Sequence, residues 1–262
     1  MECAICQAYS KKIQNNHPGY IKGSYFDIYE CTGCQTRFVN IGDQTEQLDL
    51  IYNLIYENGR DVPGYDRYFN TANKIINQLN PLEWLASQDV EYWFVAEHLR
   101  KNGKNIKDIL EVGCGAGYLT YALRKEGYRA TGIDLSQEVI KRASELFGEG
   151  FSAAPLNSFI ERNDQFDMIV MTEVVEHLPD PLDVINACKK LLRPNGVIFL
   201  TTPNRNVYTS PLSWSVEAPP VHLWWFNRHG IAALANSCGL EATLMDGSTA
   251  PAADNWKKMS RR

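Results

Sequence analysis

The chain has 262 residues, 44% of them hydrophobic and 22% charged. These are the proportions of an ordinary soluble globular protein, and the length suits one domain of about 150–200 residues with a smaller appendage. A net charge of −5 argues against a nucleic-acid binder held by a basic face, and no apolar run approaches the roughly 18 residues of a membrane-spanning helix.

The first residues, MECAICQAYSKK, lack the apolar core of a secretory signal, so the expected location is the cytoplasm. They also carry the first of two cysteine pairs. Cys3-x2-Cys6 and Cys31-x2-Cys34 have zinc-ribbon spacing. Each pair sets two sulfurs on one tight turn, with Gly33 inside the second, and two turns complete a tetrahedron. In a cytoplasmic chain such knuckles point to zinc rather than disulfides. Redox activity is the weaker reading, and a closed four-sulfur site leaves no open position for catalysis. Residues 1–42 are therefore expected to form a zinc-ribbon module in which structural zinc substitutes for a large core. Strand-like residues lie at Tyr20-Ile21 and 25–29. Cys114, Cys188 and Cys238 are isolated.

Residues 43–105 read as an aromatic, mainly helical connector or lid. Apolar residues recur at helical spacing over 48–55, 75–79 and 84–99. Pro63-Gly64 breaks the pattern. Tyr65 and Tyr68 can cap a cofactor pocket, although packing is the commoner role of such aromatics.

From Ile109 onward strand and helix patterns alternate, which predicts a parallel sheet with helices on both faces. Strands are expected at 109–112, 129–133, 150–153, 166–171, 197–201 and 240–245. Helices are expected at 118–126, 137–147, 182–192 and 229–238, with Ser136, Asp180 and Asn227 as N-caps. Residues 248–262, small and then basic, read as a solvated tail.

The first of these strands ends in ILEVGCGAG (109–117), and the second ends in GIDLS (132–136). Gly113, Gly115 and Gly117 permit positive φ and let a ligand lie against the backbone. A tight turn alone would also use them. Glu111 before the loop and Asp134 roughly 20 residues on, where a ribose hydroxyl pair would be held, favour nucleoside binding. Tyr118 stands where a dinucleotide fingerprint needs its third glycine, which counts against an NAD(P) oxidoreductase.

The loop resembles that of the class I S-adenosylmethionine (SAM) methyltransferases. The later phrases FDMIV, EVVEHLPDP and LLRPNGVIFLTTPN, in this order, resemble methyltransferases of the ubiquinone-biosynthesis O-methyltransferase type over roughly residues 107–245. The cysteine module in front is similar to that of some sugar methyltransferases. The resemblance implies an α/β fold: a Rossmann-like doubly wound sheet over 106–247, preceded by the ribbon and the helical connector. It also implies SAM contacts at Glu111, Gly113, Cys114, Gly115 and Gly117, ribose hydroxyls on Asp134, and adenine beside Leu135 and the Leu156-Asn157 loop. Asn157 replaces the acid often found there. Glu173, at the end of the fourth strand, is implied to lie beside the methyl group.

Glu173, Glu176 and His177 stand in an i, i+3, i+4 relation, so on a helical turn they share a face. His222, in VHLWWF, is a candidate to join them. Two carboxylates and two imidazoles suit a divalent ion such as magnesium, manganese or zinc. The motif with a later histidine resembles the metal-dependent O-methyltransferases. A metal-free histidine base and a purely structural role stay open.

SAM brings an electrophilic methyl group, so the protein must align an acceptor with the C–S bond and take its proton. His177 or His222 would serve as general base, with Glu173 beside them, or a metal would lower the hydroxyl pKa. Tyr208, Trp214, Trp224, Trp225 and Phe226 are candidates for an aromatic wall under a sugar ring, or else for core, and 203–227 for an acceptor lid. The expected activity is O-methylation of a hydroxyl on a small molecule, glycan or nucleotide sugar, with no nucleic-acid partner. C- or N-methylation and an idle SAM-binding module that docks a partner through its ribbon are the alternatives. The oligomeric state is not legible.

Overall fold

The computed structural model describes residues 1–41, 48, 51, 66–207 and 218–250. Tyr65, Tyr208, Trp214 and the tail beyond Ala250 fall outside them. The chain divides into two compact units, one gathered from within Met1–Asn53, Glu173–Asn186 and Thr202–Leu244, the other from the remainder.

The first unit is built on a four-stranded antiparallel sheet. Its strands are β1 (Ser10–Pro18), β2 (Tyr25–Cys31), β3 (Arg37–Val39) and β9 (Trp224–Trp225), in the order β1-β2-β3-β9. Cys31 pairs with Ser10, and Arg37 and Phe38 pair with Trp225 and Trp224. The ribbon sheet thus takes its fourth strand from far along the chain. Phe26, Ile28, Phe38, Leu223, Trp224, Trp225 and Phe226 are buried in this unit. The Phe38 and Trp224 rings stand 5.3 Å apart, and Trp224 stacks at 6.1 Å on Phe226. The last helix, α8 (Arg228–Ser237), starts at Asn227, whose side chain accepts from Gly230 N at 2.8 Å. The stretch 240–245, expected as a strand, forms none.

The second unit is the α/β body. Five parallel strands, β4 (Asp108–Val112), β5 (Arg129–Ile133), β6 (Phe151–Ser152), β7 (Phe166–Thr172) and β8 (Leu192–Thr201), lie in the order β6-β5-β4-β7-β8. The order reverses at β4, the first strand in sequence. A doubly wound sheet places its ligand crevice at the carboxyl end of such a strand. Helix α4 (Tyr118–Lys125) follows β4, and α5 (Gln137–Phe147) follows β5, with the Ser136 hydroxyl accepting from Val139 N. Helix α6 is Leu156–Glu161. Helix α7, Pro181–Leu191, whose residues up to Asn186 belong to the first unit, opens with Asp180 accepting from Asp183 N at 3.0 Å.

In the connector, α1 (Asp66–Ile75) ends where the expected 75–79 segment begins, and residues 76–79 form no helix. Helices α2 (Pro81–Gln88) and α3 (Val90–Asn102) replace the expected 84–99 segment, because Asp89 adopts an extended conformation and divides it. Leu82, Leu85, Val95 and Leu99 recur at helical spacing and pack with Ile109, Leu119, Leu123 and Met168 into one core. Tyr68 packs against that core. Truncating a fully buried leucine such as Leu85 to alanine costs about 2–5 kcal/mol.

The amino ends of the strands are clasped by charge. Asp108 receives Arg129 at 2.6 and 2.7 Å, and Arg193 bridges Asp108 and Asp167 at 2.6 and 2.9 Å. Hydrogen bonding to Arg129 first, then Arg193, holds the Asp108 carboxyl below its ordinary range. Arg129 itself is 68% exposed, so this pair contributes little stability alone. No described helix is long and apolar enough to cross a membrane.

Candidate functional site

The glycine loop leaves the carboxyl end of β4 with Gly113, Gly115 and Gly117 all at positive φ (72°, 49° and 79°). At Gly117 a Cβ would stand 2.6 Å from the Phe151 ring and 2.8 Å from the Ala143 Cβ. A side chain there is therefore excluded by space as well as by conformation. Gly113 N and Cys114 N both donate to Ile133 O, at 2.8 and 2.9 Å, which lashes the loop to the end of β5. Tyr118 opens α4 beneath it, buried, with its hydroxyl 2.7 Å from that of Tyr92. The residue that breaks the dinucleotide pattern is thus an anchor of the helix layer.

Asp134 completes the cradle. Its Oδ2 accepts from Gly115 N at 3.1 Å and its Oδ1 from Ser136 N at 3.0 Å. Burial pushes its carboxyl above the ordinary range against these hydrogen bonds. Glu111 is 3% exposed and accepts a hydrogen bond from the Thr120 hydroxyl. Burial pushes its pKa up to about 8, so near neutrality it is largely the neutral acid. Leu135 is 82% exposed, an apolar surface beside Asp134. Leu156 and Asn157 open α6, the first part-buried and the second exposed.

A second cluster lies in the other unit. Glu173 follows β7 with φ +55°, a left-handed conformation uncommon outside glycine. The tight helical turn begins only at Val175 and runs to His177. Glu173 therefore does not share a helical face with Glu176 and His177. Glu176, His177 and His222 do converge, each offering a ligand atom within 4.8 Å of the others, and Glu173 is not in this set. His177 Nδ1 is bonded to Val221 O at 2.7 Å, and its Nε2 lies 3.9 Å from a Glu176 oxygen. The two imidazoles stand 4.5 Å apart and perpendicular, at 87°. Burial pushes His177 down to about 4 and His222 well down, so both are neutral. Glu176 is 1% exposed, and His222 Nδ1 is buried with no hydrogen-bond partner among the described residues.

The four ribbon cysteines also converge, with Sγ–Sγ distances of 3.8 Å (Cys3–Cys34) and 3.4 Å (Cys6–Cys31). Four sulfurs around zinc at about 2.3 Å would stand about 3.8 Å apart. Gly33 N and Cys34 N point at Cys31 Sγ, at 3.3 and 3.4 Å. The hydrogen bond from Cys3 pulls the Cys34 thiol below its ordinary range. Both features suit a metal ligand set.

The aromatic wall is not formed as expected. Trp224, Trp225 and Phe226 are core of the ribbon sheet, each 5% exposed or less. Sequence reasoning missed Thr120 and the Val221 carbonyl, which orient Glu111 and His177. A threonine facing inward on the first turn of α4 was the available signal for the former; the latter is a backbone group and left none.

Residues 94–244 match the family model described as a methyltransferase domain. Among curated proteins, the ubiquinone biosynthesis O-methyltransferase of Pasteurella multocida (strain Pm70) is 36% identical over 151 residues, covering 51% of this chain and 57% of that protein. Its counterpart in Actinobacillus pleuropneumoniae serotype 7 (strain AP76) is 34% identical over 148 residues, covering 53% and 59%. The match thus spans less than two thirds of either relative's own length. Similar solved structures include the plantazolicin methyltransferase BpumL in complex with SAH, with TM-score 0.48 and 17% identity over 84% of this chain and 94% of that one. Another is the magnesium protoporphyrin IX methyltransferase ChlM from Synechocystis PCC 6803 with bound SAM, with TM-score 0.49 and 17% identity over 78% and 91%.

Proposed function

The chain belongs to the methyltransferase-domain family, and we propose that it is a cytoplasmic enzyme that transfers a methyl group from SAM to a hydroxyl oxygen of a small molecule, glycan or nucleotide sugar. The observation that carries the SAM reading is the cradle itself: a positive-φ glycine loop pinned by Asp134 through Gly115 N, with buried Glu111 beside it. Each Asp134 oxygen accepts one backbone N–H and retains a lone pair for a ribose hydroxyl. Glu111 would hold the cationic methionine end of SAM, and the apolar Leu135 with Leu156-Asn157 would flank the adenine. Glu173 is assigned to the methyl side.

The acceptor hydroxyl is a poor nucleophile while neutral, so its proton must be removed. We assign that task to His177 or His222, whose imidazoles burial keeps neutral. With Nδ1 bound to Val221 O, His177 presents Nε2. Glu176, His177 and His222 also fit a magnesium or manganese ion as one carboxylate and two imidazole ligands. Such an ion would lower the pKa of a bound hydroxyl. The four ribbon cysteines fit structural zinc, which would hold the ribbon folded.

The test is to incubate the purified protein with SAM and a panel of sugars, phenols and acids, and read the acceptor mass. Gain of one CH2 with formation of S-adenosylhomocysteine is the expected result. Absence of SAM binding by calorimetry would refute the reading. Binding without transfer across the panel would favour a SAM-binding module instead.

A further inference from the structure

Residues 221–225 are hydrogen-bonded along both edges. On one side Val39 N donates to Leu223 O at 3.0 Å, and Phe38 and Arg37 pair with Trp224 and Trp225. On the other, Leu223 N donates to Glu176 O at 2.8 Å, Val221 O holds His177 Nδ1 at 2.7 Å, and Trp224 Nε1 donates to Leu178 O at 2.8 Å. His222 is the second residue of this run.

The strand on the first edge, β3, is an extension of the second cysteine turn. Cys31 N donates to Thr36 O at 3.0 Å, and Cys34 Sγ lies 3.3 Å from the Thr36 hydroxyl. Both cysteine turns also grip α8, the helix that follows the run. Ser237 Oγ donates to Ile5 O at 2.7 Å, and Asn227 Nδ2 donates to Gln35 O at 3.3 Å. The helix lies directly on the second turn, since a Cβ on Gly230 would stand 2.1 Å from the Thr36 hydroxyl oxygen.

We infer that the four-cysteine site positions the Glu176–His177–His222 cluster. Closing the sulfurs on zinc fixes β3 and α8, these fix residues 221–225, and that run sets the His222 ring against His177 and Glu176. The inference rests on the reading of the four cysteines as a zinc site. It gives the ribbon metal a function beyond stability, exerted through Thr36, Phe38 and Asn227 as positioning residues. A merely stabilising zinc would melt the unit when lost and leave the imidazoles unchanged in any molecule still folded.

The experiment uses the full chain and starts with elemental analysis. Zinc is then displaced with a thiol reagent and a chelator. The side-chain nitrogen resonances of His177 and His222 are recorded before and after, with SAM affinity as the control. The chain has only five histidines, so single substitutions assign them. Zinc removal is expected to shift both sets of resonances and to slow transfer about 10–100-fold, the usual effect of losing a supporting contact, at unchanged SAM affinity. Added zinc should reverse both. Phe38→Ala, which leaves all four cysteines in place, should retain the metal yet move the His222 resonances. It is the deciding variant if the zinc-free protein no longer binds SAM. Histidine resonances unmoved in folded zinc-free protein, or in Phe38→Ala, would overturn the positioning role. Protein isolated without zinc and with four reactive thiols would instead overturn the zinc reading beneath it.

Discussion

His177 and His222 meet edge to face with their ring centres 4.5 Å apart, although they lie on either side of β8 in sequence. Two neutral imidazoles beside a buried carboxylate are costly to assemble, since each polar group loses water. Such clusters repay the cost when they bind an ion or move a proton.

The two uses separate by experiment. If Glu176, His177 and His222 hold a divalent ion, a chelator mild enough to spare four-sulfur zinc should abolish transfer while SAM still binds, and manganese or magnesium should restore it. Glu176→Ala should then be nearly as damaging as His177→Ala. If a histidine works alone, the chelator should leave transfer untouched, and Glu176→Ala should be the milder change. Full activity in both His177→Ala and His222→Ala would eliminate both uses.

Glu111 sets a pH dependence whose sign is fixed by burial. Its carboxyl titrates at 4.5 when unperturbed and near 8 in the fold. Between those values the folded chain holds a proton that the unfolded chain has released, so stability falls as pH rises through that window. Glu111→Gln cannot ionise and should remove this slope, gaining about 4 kcal/mol relative to wild type at pH 8 compared with pH 4.5. Thermal melts at the two pH values check it, and parallel curves for the two proteins would contradict it. Under the proposed function, the cationic end of SAM should favour the ionised form. Binding at pH 7 should then release a proton, measurable by calorimetry in buffers of different ionisation enthalpy.

Local chemistry was legible, and partners distant in sequence were not. The glycine loop, Asp134, the Ser136 and Asn227 caps and both cysteine turns follow from residue type and spacing alone. The pairing of Trp224–Trp225 with β3 does not, because a two-residue strand has no period and its partner lies far away in sequence. For the same reason aromatic content around His222 could not separate core from a sugar-stacking wall. The stretch 240–245 alternates like a strand, but alternation does not supply a neighbour to pair with. Glu173 left the expected helical face because its backbone turns left-handed, which i, i+3 spacing cannot report.

Asn227 joins two roles that alanine would remove together. Its Oδ1 caps α8 through Gly230 N and its Nδ2 donates to Gln35 O. Asn227→Ala should destabilise by about 1–2 kcal/mol, the cap alone accounting for about 1. Asn227→Asp should keep the cap and lose only the second bond. Chemical denaturation of the three proteins should rank them wild type, Asp, Ala. Equal midpoints would mean that neither bond contributes.

Asp134 is the residue on which the SAM assignment is most exposed to test. Both its oxygens already hold the loop, one through Gly115 N and the other through Ser136 N, so the carboxylate is oriented before any ligand arrives. Orientation in advance spares the ligand the entropy of ordering the group. A ribose hydroxyl donating to that carboxylate forms a hydrogen bond to a charged group. Its loss in Asp134→Ala should weaken SAM by about 1.5–3 kcal/mol. Asp134→Asn retains one acceptor oxygen but turns an amide N–H₂ towards a backbone N–H, so it should recover little of that affinity. Calorimetric titration of SAM into the three proteins measures the series, and melting curves show whether the loop survives. Wild-type affinity in a folded Asp134→Ala protein would move the ribose away from Asp134 and leave the glycine loop without its nucleoside.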